Sequence, residues 1–224
     1  MQKRLPLITA FLAVLVSPCQ SVSALPEEEE IVKVEFQVLS IDGTIRDLSY
    51  LTGDGTLSPL VAFDGSRSFT YEYEGPPFLR IYPDDAVAGT PPKAVVDLKD
   101  VAKKSLLLIF PQDDGEISVV LIPDGEDVHP LGSYRFFNLT GSPVAVVAND
   151  SRHMLKPMSD YLVEVFPENS DESTCRIRVA IEEEGTWKML YANTWIGSSD
   201  SRFLAIIKNE DDGKVIIRRI RDTI

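Results

Sequence analysis

Apolar and polar side chains trade places at every step along much of this chain, and glycine, proline or aspartate breaks the pattern every few residues. Val32, Val34, Phe36 and Val38 alternate with Lys33, Glu35 and Gln37. That period of two puts one apolar side on an extended strand, and Asp42-Gly43 then supplies a turn. The same alternation returns at residues 60–63, before Asp64-Gly65, then at 68–73, before Gly75-Pro76-Pro77, and again at 78–82. Residues 83–92 read as a loop, and 94–98 as a strand with a short helix over 95–104 as the alternative. Further strands are expected at 105–110, 117–122, 133–138, 144–149, 161–166, 175–182, 186–194, 203–208 and 215–221. No segment carries the 3.6-residue apolar spacing of a long amphipathic helix. The expectation is an all-β, antiparallel β-sandwich architecture made of one or two sandwich-like units.

Pro123-Asp124-Gly125-Glu126-Asp127 is a plausible joint, dividing residues 25–125 from residues 126–224. A single larger β unit stays open, because all-β domains of ~200 residues are ordinary.

Two hairpins can be read residue by residue. If Glu183-Glu184-Gly185 forms a three-residue loop, Ile181 faces Trp187, Val179 faces Met189 and Ile177 faces Tyr191. Trp187 and Tyr191 then belong to the core, while Trp195 lies beyond the apolar pairing. With a loop over 209–213, Ile207 faces Val215, Ala205 faces Ile217 and Ile206 faces Ile216. Both faces of that hairpin are apolar, which implies central strands and a C-terminus inside a sheet.

The first residues have the form of an export signal. Lys3 and Arg4 precede an apolar run over 5–16, Ser17-Pro18 breaks it, and Val22-Ser23-Ala24 offers small residues for cleavage after Ala24. Residues 1–24 are therefore expected to be a signal peptide, and the destination periplasmic or extracellular. Cys19 raises a lipoprotein alternative, but Pro18 stands where a lipobox has a small residue. No later stretch reaches the ~18 apolar residues of a membrane helix. Removing Lys3 and Arg4 takes the net charge from −13 to −15. Glu27–Glu30 reads as a solvated tail. Such a chain repels nucleic acid, and Arg218, Arg219 and Arg221 read as one solvated strand edge rather than a basic patch.

The chemistry-bearing residues point to no reaction. His129 and His153 are the two histidines. Asp150 and Ser151 sit near His153, but neighbours on a strand or turn point apart, so no triad forms, and both histidines read as turn or surface groups. Cys175 shares a side with Ile177, Val179 and Ile181, which makes it a core thiol. Asp84-Asp85, Asp113-Asp114 and Asp211-Asp212 read as turns. A Ca²⁺ loop would need a ladder of alternating acidic ligands that is missing here. Asp64-Gly65-Ser66 reads as a turn too. No catalytic residue, cofactor or resident metal is assigned.

Aromatic residues give the one binding signal. Tyr71, Tyr73 and Tyr82 lie near Gly75-Pro76-Pro77, and Trp195 is expected to be exposed, where it could stack on a sugar ring. Asn138-Leu139-Thr140 and Asn149-Asp150-Ser151 match the glycosylation sequon. These features suit a non-enzymatic cell-envelope module binding an envelope protein or a glycan. A carbohydrate-active hydrolase using loop carboxylates is the alternative.

Several phrases carry a resemblance. They are residues 75–82 (Gly-Pro-Pro-Phe-Leu-Arg-Ile-Tyr), residues 131–140 (Leu-Gly-Ser-Tyr-Arg-Phe-Phe-Asn-Leu-Thr), Leu155-Lys156-Pro157, Trp187 with Tyr191 and Trp195, and Arg202. Over residues 60–224 the chain resembles an uncharacterised family of exported β-rich proteins of verrucomicrobial and related bacteria. The resemblance implies a bacterial source and one exported β unit, with no activity to transfer.

Overall fold

The computed structural model describes residues 30–112, 115–164, 174–210 and 212–223; among them are sixteen strands and no helix. The signal at 1–24, Cys19, residues 27–29, Asp113-Asp114, residues 165–166 of one expected strand and Asp211 lie outside the described residues.

The first eight strands are β1 (Val32–Ser40), β2 (Ile45–Leu51), β3 (Leu57–Asp64), β4 (Tyr71–Gly75), β5 (Phe78–Pro83), β6 (Ala94–Asp97), β7 (Lys104–Pro111) and β8 (Ile117–Pro123). They form one sheet in the order β6-β5-β2-β3-β1-β7-β8, with β4 also paired to β1. β3 is the corner. It runs antiparallel to β2 and touches β1 in parallel only at Leu39↔Phe63 and Ser40↔Asp64. The sheet therefore folds over, and both halves bury apolar side chains in one core of Phe36, Val38, Leu48, Tyr50, Leu60, Leu79, Ile81, Leu107 and Ile109.

The remaining strands are β9 (Ser133–Asn138), β10 (Val144–Ala148), β11 (Ser151–Leu155), β12 (Ser159–Glu164), β13 (Thr174–Glu183), β14 (Thr186–Ile196), β15 (Ser201–Asn209) and β16 (Val215–Thr223). They make two four-stranded sheets, β12-β9-β15-β16 and β11-β10-β13-β14. Between them lies a second core holding Tyr134, Phe136, Val146, Ile177, Val179, Trp195, Phe203, Ala205 and Ile207.

Alternation explains how the two groups of strands meet. Along β9, Tyr134 and Phe136 enter that second core, while Phe137 turns the other way. Along β15, Phe203, Ala205 and Ile207 alternate with Leu204 and Ile206 in the same manner. On β1 and β7, Leu39, Leu106 and Leu108 point away from the first core. These outward sides close on each other as a third core, completed by Ile41, Ile122 and Ile220. β9 and β15 are buried on both faces, as central strands are. Residues 133–138, within the phrase at 131–140, form one of them.

The all-β sandwich expectation holds, with three parallel pairings among the described residues (β1–β3, β1–β7 and β9–β15) beside the antiparallel ones. Two strands went unread. In β2 the charges of Arg46 and Asp47 sit at a register shift between Ile45 and Leu48 and hide the alternation. β11 buries only Leu155.

Both hairpin registers differ from expectation. The first turn has two residues, with Glu184 at φ 49° and Gly185 at φ 77°. Positive φ at both positions gives the type I′ turn, whose twist matches that of its strands. Glu183 therefore faces Thr186, Glu182 faces Trp187 and Ile181 faces Lys188. A β-bulge at Val179/Ala180 then restores the phase, so that Val179 meets Tyr191 and Cys175 meets Trp195. In the last hairpin Asn209 faces Val215 and Ile207 faces Ile217, two residues away from the expected pairing. β15 is central as expected, but β16 is an edge strand, because among the described residues β15 alone pairs with it.

Candidate functional site

Two places gather side chains with chemical potential: the seam around the third core, and the outer face of β11-β10-β13-β14.

The seam is ringed by ion pairs. Ser68 pins the segment after β3 to β1, since Val38 N–H donates to Ser68 Oγ at 2.8 Å and Ser68 N–H donates to Val38 O at 2.9 Å. That places Arg67 over Asp124, which follows β8. Arg67 pairs with both Asp124 oxygens, through Nη1 and, at 3.1 Å, through Nη2. Arg202 of β15 reaches the same carboxylate at 3.0 Å. It also donates to the Asp124 and His129 carbonyls at 2.9 Å each, and to Asp222 of β16 at 2.8 Å. Arg67 Nε stands 3.3 Å from Asp222. Further along the seam Arg135 binds Asp160 at 2.6 Å and the Pro123 carbonyl, Arg218 binds Asp64 at 2.7 Å and the Ile41 carbonyl, and Lys208 pairs with Asp42. The arginines at 218, 219 and 221 are thus not one solvated edge: Arg218 is a seam residue, and Arg219 lies 5.3 Å above the Trp195 and Phe203 rings.

His129 is the correction with most consequence here. Expected at a surface or turn, it is 1% exposed, with Nδ1 3.4 Å from Asp124 Oδ1 and Nε2 without a hydrogen-bond partner among the described residues. Burial lowers its pKa, the charges of Arg202 and Arg67 lower it further, and Asp124 pulls the other way. Burial would by itself raise Asp124. Hydrogen bonds from His129 and Arg67 and the charges of Arg67 and Arg202 outweigh it and hold the carboxyl at about 2. Asp124 is therefore a fixed anion between two fixed cations.

A cleft of about 240 Å³ opens beside it, with Glu35, Glu126, Asp124 and Asp222 on its lining alongside Lys104 and Arg202. A glycosidase acid must hold its proton near neutrality, so its pKa is raised. Asp124 is shifted the opposite way, and Asp222 is held by two arginines. The arrangement fixes the orientation of the strands that carry it.

The second place is built by the bulge. Beyond Glu184-Gly185, Trp187 and Met189 face out with Ala180 and Glu182 rather than into the core. Met154 of β11, Ala145 of β10, Ala180 of β13 and Met189 of β14 are consecutive cross-strand neighbours in one row. Two alanines make a low floor and two methionines the walls, with Trp187 beside them. The next row carries Arg152, Val147 and Arg178. A depression of about 420 Å³ lies over these residues. Trp187 and Met189 are 38% and 58% exposed. Neither Arg152 nor Arg178 makes an ion pair among the described residues, so two exposed cations border the apolar row on one side, with Asp150 on the same lining.

The tryptophans have exchanged their expected places. Trp187, expected in the core, is on this open face. Trp195, expected to be exposed and ligand-facing, is 4% exposed. Phe136 stacks on its ring at 5.5 Å, Arg219 covers it, and its indole N–H donates to Tyr191 Oη at 2.6 Å. With its faces taken, the ring offers no platform to a sugar. The cleft next to it, about 340 Å³, is lined by Tyr191, Asn193, Thr194, Ile196, Ile217 and Arg219, without a carboxylate among the described residues. Tyr71 and Tyr73 are buried in the first core.

The remaining candidates take structural places. Cys175 is buried beside Ile177 and Val179, as expected. His153 stacks on Tyr161 at 3.6 Å. Asn138 is fully buried, its amide donating to the Ser142, Leu155 and Lys156 carbonyls and accepting from Thr140, so this sequon is closed to glycosylation in the folded chain. Asn149 Oδ1 accepts from the Arg176 N–H at 2.9 Å. Among the described residues no three acidic, cysteine or histidine side chains converge to hold a metal, and no helix is long and apolar enough to cross a membrane.

No family model matches the chain. No curated protein matches it either. Among solved structures, the chain is similar to a crystal structure described as a "putative cell adhesion protein" from Bacteroides eggerthii. That similarity has 8% identity and a TM-score of 0.25, covering 89% of this chain and 97% of the other.

Proposed function

We propose that this chain is a non-enzymatic binding or assembly protein of a bacterial cell envelope, exported by its first 24 residues. It engages an envelope protein or glycan through the outer face of β11-β10-β13-β14. The observation that carries this reading is the row Met154–Ala145–Ala180–Met189 with Trp187, left open to solvent beside Arg152 and Arg178, which make no ion pair among the described residues. Methionine adapts its shape to an incoming group, and an exposed tryptophan contributes large contact area. Export is supported by the charge, apolar run and small residues before position 25.

Immobilised protein should retain a component from solubilised envelope proteins or from purified cell-wall glycan, and Arg152→Glu/Arg178→Glu should lose most of it. Retention that ignores the double variant refutes the face. Hydrolysis of a polysaccharide by pure protein, abolished by replacing one Asp or Glu, refutes the non-enzymatic reading and restores the hydrolase.

A further inference from the structure

β14 ends its sheet. β13 satisfies one side of its backbone, and among the described residues no strand pairs with the other. Exposed edges invite another strand, and soluble β-proteins blunt them with charge, proline or shortness. Other end strands are short, charged or closed by proline: β16 carries Arg218, Arg219 and Arg221, β12 carries Asp160 and Glu164, β4 carries Glu72 and Glu74, β11 has five residues and carries Arg152, β6 has four residues, and β8, without a charge, has seven residues and ends at Pro123. β14 has eleven residues, no proline and one charge, Lys188.

We propose that a second copy of this chain pairs with that edge, β14 against β14 and antiparallel, joining two four-stranded sheets into one of eight. Three observations select this occupant. The first is register. A two-residue hairpin closes on a pair that exchanges both backbone hydrogen bonds, here Glu183–Thr186, so Trp187 and Met189 turn their backbone groups to the open edge. The bulge shifts the phase by one residue, which places Thr194 and Ile196 on the same outer face. A two-fold axis at Ala192, with each bulge taken up opposite Asn193 of the other copy, then sets Trp187 opposite Ile196 of the second copy and Met189 opposite its Thr194.

The second observation is what this pairing covers. Trp187, Met189 and Ile196 are the large exposed apolar residues of β14, at 38%, 58% and 71%. Each gains a cross-strand neighbour, and the two-fold makes every contact twice. A slip of one residue would set Trp187 against a side chain of the opposite face. The third is charge. Two copies of a chain at −13 repel, and β14 is an edge where they can meet with no carboxylate opposing a carboxylate.

The inference shares Trp187 and Met189 with the partner-binding face, but Arg152 and Arg178 lie on other strands, so the two readings are separated by different variants; paired sheets would carry two copies of that face side by side. Sedimentation of the purified protein between about 1 and about 100 µM should show twice the chain mass. Met189→Lys/Thr194→Lys opposes like charges at both symmetry-related pairs and should weaken association about 10- to 30-fold. Met189→Lys/Thr194→Glu opposes unlike charges in the same register and should recover the dimer. Far-UV circular dichroism establishes that both variants keep the sheet. Arg152→Glu/Arg178→Glu should stay dimeric. A single-chain mass throughout the range, a dimer indifferent to both charge pairs, or a Lys/Glu variant no better than Lys/Lys would each overturn the proposal.

Discussion

Replacing Asp124 by asparagine should cost about 3 kcal/mol at pH 7, because it strands two buried guanidinium groups. The carboxylate accepts from Arg67 and Arg202, and all three side chains are under a tenth exposed. Asparagine keeps the shape but removes the charge, leaving Asp222 alone against two cations. Breaking a buried pair from one side typically costs ~3 to 5 kcal/mol, and the partial exposure of Asp222 argues for the lower end. For a chain of this size the loss corresponds to a melting temperature lowered by about 6 to 12 °C. The pH dependence follows from a carboxyl at about 2 in the fold against an ordinary 3.8. A depressed carboxylate contributes stability above its unfolded pKa and loses it as pH falls toward the folded value. The contribution is about 2 kcal/mol, of which about half has gone by pH 3. Urea unfolding of wild type and Asp124→Asn should therefore show a gap at pH 7 that narrows at pH 3. Adding Arg67→Met should recover at least about 1 kcal/mol, since the stranded cation is removed with its partner. A gap below about 1 kcal/mol at pH 7, or one unchanged at pH 3, would refute the desolvated, doubly paired anion.

Three other outcomes can be checked with small quantities of protein. Stability should fall as pH drops below 6.5, because unfolded His129 takes a proton that the buried ring resists; in His129→Gln that part of the slope, read by urea midpoints between pH 7 and 5, should disappear. Asn138→Ala should destabilise by about 2 kcal/mol or more in chemical unfolding, since three carbonyls and the Thr140 N–H and hydroxyl each lose a hydrogen bond at once. Acrylamide should quench Trp187 and spare Trp195, so Trp187→Phe should leave blue-shifted, protected emission and Trp195→Phe the reverse.

What the sequence made legible was local. Period-two alternation located most strands, since burying one side of a strand leaves that mark at every step, and Cys175 was placed in the core by the same rule. Phase was harder to read. The number of residues with positive φ in the turn after Glu183 decides the register, and the bulge at Val179/Ala180 then changes it again. Neither leaves a compositional trace, and Trp187 and Trp195 exchanged roles as a result. The seam was hidden for another reason. Arg67, Asp124, His129, Arg202 and Asp222 are spread over 156 positions of sequence, and each alone looks like a surface polar residue. One cue was present: Arg202 and Asp222 keep the parity of Leu204 and Ile220, side chains that face the third core.

The two charged regions obey opposite rules, and that separation has a consequence for how the molecule responds to change. Around Asp124 each cation has a buried counter-charge, so ionic strength should barely touch it, whereas Arg152 and Arg178 are exposed to counterions. The Asp124 cluster belongs to β15, β16 and the segments after β3 and β8; the open face belongs to β10, β11, β13 and β14, across the second core. No side chain is shared between them. Unfolding costs of Asp124→Asn and Arg152→Glu/Arg178→Glu should therefore add within about 0.5 kcal/mol in the combined variant. Added salt should weaken partner retention on the open face while leaving the Asp124→Asn gap in place. A strongly non-additive combination, or a gap that salt erases, would mean that the seam is wetter than its buried arginines indicate.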